Sequence, residues 1–120
     1  KSIPLYEDGA MLRDFVFIDD VAAAIRLAID APEAVDAPLD IGTGQSISIG
    51  ELARIVSQRY GAPVPHVCGL FRNGDVRHAA CEPEAARHAL GWHPATMAAE
   101  GIPLLCDWLD AELLKKGAQS

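Results

Sequence analysis

LDIGTGQSISIGELARIV, residues 39–56, sets a short apolar stretch, a glycine-rich turn and an amphipathic helix in succession. The same order opens a dinucleotide-binding unit. There, G-x-G-x-x-G supplies one glycine for the tight turn, one for the approach of backbone to pyrophosphate and one for close helix–strand packing. Here Gly42 and Gly44 are followed by Ile47, and the next glycine, Gly50, comes three residues late. The acidic residue needed about 20 positions further on to hold a ribose is missing, because that stretch reads GAPVPHVCG. The segment therefore predicts a strand at PLDIG, a turn made by Gly42 and Gly44, and a helix over 49–60. A capping box of Ser48 and Glu51 starts that helix, and no nicotinamide cofactor is expected at the turn.

Upstream, IPLY is an extended piece that runs into the turn EDG, and RDFVFI reads as a buried strand rich in aromatic and β-branched residues. Asp19 or Asp20 is placed to cap the next helix, whose Val21, Ile25, Ala28 and Ile29 recur at helical spacing and whose end is set by Pro32. Downstream, Ile49, Leu52, Ala53, Val56 and Tyr60 share one face of the 49–60 helix, which Gly61 closes. PVPHVCG is extended and, with two prolines, suited only to a sheet edge. EPEAARHALGW is a short helix between Pro83 and Gly91. A last helix falls within 96–116 with Met97, Leu105, Trp108, Leu109 and Leu113 inward, and it either bends or begins at Pro103, since an interior proline costs about 3 kcal/mol. Only the closing KKGAQS is expected to fray.

The 120 residues, half of them apolar, make one compact domain, 1–120, of α/β class with about four helices and a few short strands. A net charge of −7 argues against nucleic acid or an anionic membrane surface as partner. An anionic ligand would then need a local cluster of arginines. Cys68, Cys81 and Cys106 are odd in number and widely spaced, which disfavours a disulfide framework or zinc site and suits a cytoplasmic setting. No apolar run approaches the ~20 residues of a membrane span. The chain opens on Lys1 rather than Met and is expected to be part of something longer.

FRNGDVRH, residues 71–78, is the most unusual stretch: Arg72 and Arg77 flank Gly74 and Asp75. The planar fork of arginine matches phosphate oxygens, and a neighbouring glycine lets backbone approach a ligand. Equally, Asp75 could pair with Arg72 or Arg77 in a solvated turn. Arg13 stands at the mouth of the RDFVFI strand, where it either faces a ligand or solvent or pairs with Asp14. Adjacent Asp19 and Asp20 form a poor acid–base pair, because neighbouring side chains seldom face each other. His66, His78, His88 and His93 lack metal-ligand spacing. Neither Tyr6 nor Tyr60 is followed four residues on by lysine; Ala10 and Val64 stand there.

Taken together, YEDGAMLRDFVFIDDVAAAI, DIGTGQSISIGELARIV, RNGDVRHAACEPEAARHALGWHP and EGI resemble the C-terminal, substrate-binding part of the extended short-chain dehydrogenase/reductases, the NAD-dependent epimerases and dehydratases of nucleotide sugars. The resemblance implies the C-terminal part of an extended Rossmann-type enzyme, an isomerase or dehydratase. Arg13 and Arg72 would hold the diphosphate of a nucleotide-diphosphate sugar, and Asp75 would lie near its ribose. It places NAD, and the tyrosine–lysine pair that starts hydride transfer, in an N-terminal Rossmann half absent from this chain. No catalytic, cofactor-binding or metal-binding residue is then expected here. Asn73, ACEP and Ala85 depart from the family's usual proline, alanine–aspartate and lysine. An isolated chain is expected to be inactive and to self-associate through PLDIG, with Leu39 and Ile41 exposed. The competing reading is a stand-alone module that binds a nucleotide or other phosphorylated ligand without catalysis.

Overall fold

A computed structural model describes residues 1–33 and 35–118. The order of elements is β1 (Pro4–Leu5), β2 (Leu12–Arg13), α1 (Ile18–Asp30), β3 (Ile47–Ser48), α2 (Ile49–Arg59), β4 (His66–Val67), β5 (His78–Ala79), α3 (Glu84–Leu90) and α4 (Ala98–Ala118). The fold is thus four helices with short strands, in the α/β class. β1 and β4 pair in parallel, and β2 lies between antiparallel β3 and parallel β5. His66 and Val67 of β4 sit at an edge, as two nearby prolines require.

α2 follows its sequence signals. Ser48 Oγ accepts the Glu51 amide at 3.0 Å, and Gly61 (φ +58°) turns the chain out of the helix with its amide on the Gln58 carbonyl. The capping box is only half made, because the Glu51 carboxylate goes to Arg54 one turn on. α3 ends at Gly91, whose left-handed φ of +64° and amide bond to the Arg87 carbonyl make the expected stop. Ala31 leaves α1 in an extended conformation ahead of Pro32, which disfavours a helical predecessor.

Several expectations are corrected. RDFVFI contributes only Leu12–Arg13 to a sheet; Asp14 adds one amide bond to the Ala79 carbonyl and the rest leads straight into α1. PLDIG forms no strand. Leu39 and Ile41 lie half-buried against the cluster of Ala24, Ala86 and Trp92, so side-chain burial rather than backbone pairing fixes this segment. Neither Asp19 nor Asp20 caps α1: the helix starts at Ile18 after Phe17, with both acids inside its first turn. α4 begins at Ala98 and continues through Pro103, which lies in the second turn and so removes a single helical bond. Lys115–Ala118 of the closing segment are helical; Gln119 and Ser120 lie outside the described residues.

The largest departure is in burial. The radius of gyration is 17.4 Å, against roughly 14 Å for a compact chain of this length. Ile25 and Ile29 of α1 and Leu105, Trp108, Leu109 and Leu113 of α4 are exposed, although their spacing marks them for a core. α4 buries Gly101, Ile102 and Cys106 instead. An open apolar groove of 550 Å³ is lined by Val21, Ile25 and Ala28 of α1 together with Val35, Leu39 and Leu90. No described helix is long and apolar enough to cross a membrane, and all three cysteines are free thiols.

Candidate functional site

Arg13 is the second residue of β2, held between Ile47 of β3 and Ala79 of β5. Its side chain is half-buried, and Nη1 donates to the neighbouring Leu12 carbonyl at 2.8 Å. Arg72 is exposed and lies over the Tyr6 ring, 5.4 Å from its centroid, within reach of cation–π attraction. Asp75 is exposed in the turn after Gly74 (φ +89°), and its amide donates to the Arg72 carbonyl at 3.3 Å.

Backbone bonds tie the loop that carries Arg72 and Asp75 to the segment that precedes Arg13. The Glu7 amide donates to the Leu70 carbonyl at 2.6 Å, and the Leu12 amide to the Arg77 carbonyl at 2.9 Å. Residues 70–77, which carry Arg72 and Asp75, are thereby fastened at both ends to the segment that leads into Arg13. The side chain of Arg77 adds ion pairs to Glu7 at 3.0 Å and Asp8 at 2.6 Å. The hydrogen bond from Arg77 holds the Asp8 carboxyl down at about 2.

A charge census separates the arginines. Of seven in the chain, Arg26, Arg54, Arg59, Arg77 and Arg87 each hold a carboxylate. Arg13 and Arg72 are the two that, among the described residues, have none. In a chain with 17 acidic residues, two guanidinium groups keep donors unclaimed by a carboxylate. The arrangement in which they pair with Asp14 and Asp75 is not adopted.

Asp14 is committed elsewhere. Its carboxylate accepts the Thr43 hydroxyl at 2.6 Å and the amides of Thr43 and Gly44 at 2.8 and 3.1 Å. Successive amides converging on one oxygen make an anion-binding concavity, and here the protein's own carboxylate fills it. Gly42 is needed for the approach: a Cβ there would collide with the Cys81 side chain and stand 2.9 Å from Asp14 Oδ2. The turn that resembles a dinucleotide loop is therefore built around Asp14, which takes the Thr43 and Gly44 amides.

Asp20 is a second structural carboxylate. It is buried, takes the amides of Ala95 and Thr96 at 3.1 and 2.9 Å, and its carbonyl accepts the Trp92 indole. This fastens the loop before α4 to α1 and leaves Asp20 no role as an acid–base partner of Asp19. His66 bonds Ser2, and no group of three or more potential metal ligands occurs among the described residues. Sequence reasoning missed the roles of Tyr6, Asp14 and the Glu7–Asp8–Arg77 cluster. Each depends on a partner 29 or more residues away, beyond the reach of local spacing.

The NAD dependent epimerase/dehydratase family matches residues 1–50. The chain is similar to dTDP-L-rhamnose 4-epimerase of Burkholderia thailandensis, with 51% identity over 97% of this chain and 32% of that protein. UDP-glucose 4-epimerase of Mycolicibacterium smegmatis is 34% identical over 85% of the chain and 32% of its own length. Among solved structures, a Thermotoga maritima UDP-glucose 4-epimerase with UDP-glucose superposes with a TM-score of 0.84 at 28% identity, covering 94% of this chain and 36% of that one. MoeE5 in complex with UDP-glucuronic acid and NAD gives 0.83 at 29%, covering 93% and 38%. The chain spans about a third of the length of the curated relatives it matches.

Proposed function

We propose that the chain, which the NAD dependent epimerase/dehydratase family matches over residues 1–50 and which is 51% identical to a dTDP-L-rhamnose 4-epimerase across 32% of that protein, is the part of a nucleotide-sugar epimerase that holds the diphosphate of the substrate. The observation that supports this is the pair Arg13 and Arg72, left without carboxylates in an acidic chain. Arginine forks make charge-assisted bonds to phosphate oxygens that orient as well as attract. Arg13 offers its fork from a strand and Arg72 from a loop fastened to the segment before that strand; in this reading the two forks hold one diphosphate and fix its position and direction. In the same reading Asp75, exposed two residues beyond Asn73, accepts a hydrogen bond from a ribose hydroxyl.

In this reading the sugar is presented by its nucleotide anchor, and the chain contributes orientation and charge neutralisation to the reaction. NAD, if bound by the whole protein, would supply reversible hydride transfer at a sugar carbon. We assign that cofactor to a Rossmann part outside these residues; the turn at residues 42–44, the dinucleotide-like turn of the described residues, has its Thr43 and Gly44 amides on Asp14. The substrate class is a nucleoside-diphosphate sugar, in a cytoplasmic setting.

Calorimetric titration of the chain with dTDP and UDP tests the reading. Wild-type protein is expected to bind at least one of them, and Arg13→Met or Arg72→Met to lose about 1.5–3 kcal/mol, the usual worth of a bond to a charged group. Equal affinity in wild type and both variants would overturn it.

A further inference from the structure

Glu7 is the one described residue other than glycine with a left-handed backbone, at φ +51°. Such a conformation is unfavourable for a residue with a side chain and is kept where the surroundings over-determine it. What surrounds Glu7 is Arg77. The guanidinium reaches Glu7 Oε2 and Asp8 Oδ1 through Nη1, at 3.0 and 3.3 Å, and Asp8 Oδ2 through Nη2 at 2.6 Å. The amide of Glu7 donates to the Leu70 carbonyl, and the carbonyl of Arg77 accepts the Leu12 amide. Between these two anchors lie six residues, 71–76, with Arg72 among them. The ring on which Arg72 rests belongs to Tyr6, the residue before the strained Glu7.

We infer that Arg77 is a positioning residue: by gripping Glu7 and Asp8 together it holds the 70–77 loop against the 6–9 turn, so that Arg72 is presented on Tyr6 in a fixed place. This deepens the diphosphate reading and rests on it for the consequence to binding, although the positioning itself does not need a ligand. Exposed ion pairs contribute little to global stability, and half of the Arg77 side chain is exposed. Fold stabilisation is therefore a poor account of a fork that spans two acids across 69 positions of sequence. Pre-organisation of a neighbouring donor is a better one, because a group already held in place loses less freedom on binding.

Two measurements on the whole chain test the inference. In the first, NMR follows the Arg72 side-chain resonances, which lie over the Tyr6 ring and carry its ring-current shift; Tyr6→Leu identifies that shift. Arg77→Met is expected to collapse it while leaving the thermal midpoint nearly unchanged, and Arg77→Lys, which reaches one carboxylate, to fall between. In the second, dTDP titration of Arg77→Met is expected to show about tenfold weaker binding, with no further loss when the same change is made in an Arg72→Met background. Persistence of the ring-current shift in Arg77→Met overturns the inference whatever dTDP does. An equal loss in the Arg72→Met background overturns it too, since Arg77 would then touch the ligand directly. Collapse of the shift in a chain that binds neither dTDP nor UDP upholds the positioning role and removes the diphosphate reading alone.

Discussion

Asp14 grips Thr43 twice, accepting its amide at Oδ2 (2.8 Å) and its hydroxyl at Oδ1 (2.6 Å) across 29 residues of chain. With the Gly44 amide, three donors converge on this carboxylate, and Thr43 is buried. Asp14→Ala leaves the Thr43 amide without its partner, at a cost of about 1–3 kcal/mol for a buried donor, whereas the Gly44 amide is exposed and the Thr43 hydroxyl keeps the Gln45 carbonyl at 2.9 Å. Urea unfolding is expected to show this fall, with Thr43→Val, which keeps the amide bond, losing less. An Asp14→Ala chain as stable as wild type would show that water replaces the carboxylate freely.

Two glycines separate two kinds of cost. Gly91 has a left-handed φ and open space around its Cβ position, so Gly91→Ala pays only for backbone conformation, about 1 kcal/mol. Gly42→Ala meets Cys81 and Asp14 at once. Overpacking of this kind costs about 1–3 kcal/mol. Gly42→Ala is expected to be the more destabilising, and Cys81→Gly, which removes the Cβ that the new methyl meets, to recover part of the loss in the same unfolding assay.

The contact between α2 and α4 is expected to respond to alkali. The Tyr60 hydroxyl donates to Asp110 at 2.9 Å, and that bond, with burial next, pushes the phenol up to about 12 from 10.0. A raised folded value means that the bond's contribution is fully present below pH 10 and is lost as pH rises through about 12. Absorbance titration should show a tyrosine step near 12 that Asp110→Asn brings down. At the acid end, Asp8 held at about 2 contributes above its unfolded value of 3.8 and is lost as pH falls through about 2. Asp8→Asn should remove that acid dependence from the mobility of the 70–77 loop, as seen in amide exchange.

The chain by itself is expected to show no epimerase turnover and no NAD binding, and to self-associate. Ile29, Trp108 and Leu113 are 77, 59 and 66% exposed, and surfaces of this kind associate. Sedimentation across a concentration series should show mass rising with concentration, and Trp108→Glu should reduce it. Micromolar NAD binding, or a monomer at every concentration, would contradict the respective halves of this expectation.

Local signals were legible where a few neighbouring residues settle the outcome. Ser48 and Gly61 bracket α2, and Gly91 ends α3, because a cap is decided within one turn of helix. Aromatic and β-branched residues in RDFVFI and the apolar run in PLDIG were misleading for the same physical reason: they report a need for burial, not a backbone partner. Ile25, Ile29 and Trp108 show that helical spacing marks a face without supplying what covers it. Of the site, Arg13 and Arg72 were visible as residue types in context, whereas their lack of carboxylate partners emerges only once the other five arginines are placed. Asp20 and Asp14 read as a cap and an ion-pair partner, and their long-range amide contacts reassign both.

The two arginines without carboxylates sit within a chain of net charge −7, and that contrast has a kinetic consequence for the diphosphate reading. A diphosphate approaching from afar meets repulsion, and only within about a Debye length, roughly 8 Å at physiological ionic strength, does it meet local attraction. Added salt screens the distant repulsion and weakens the close contact, so association and dissociation should both quicken. Stopped-flow measurements would then show an on-rate that climbs with ionic strength, the reverse of a basic phosphate-binding surface.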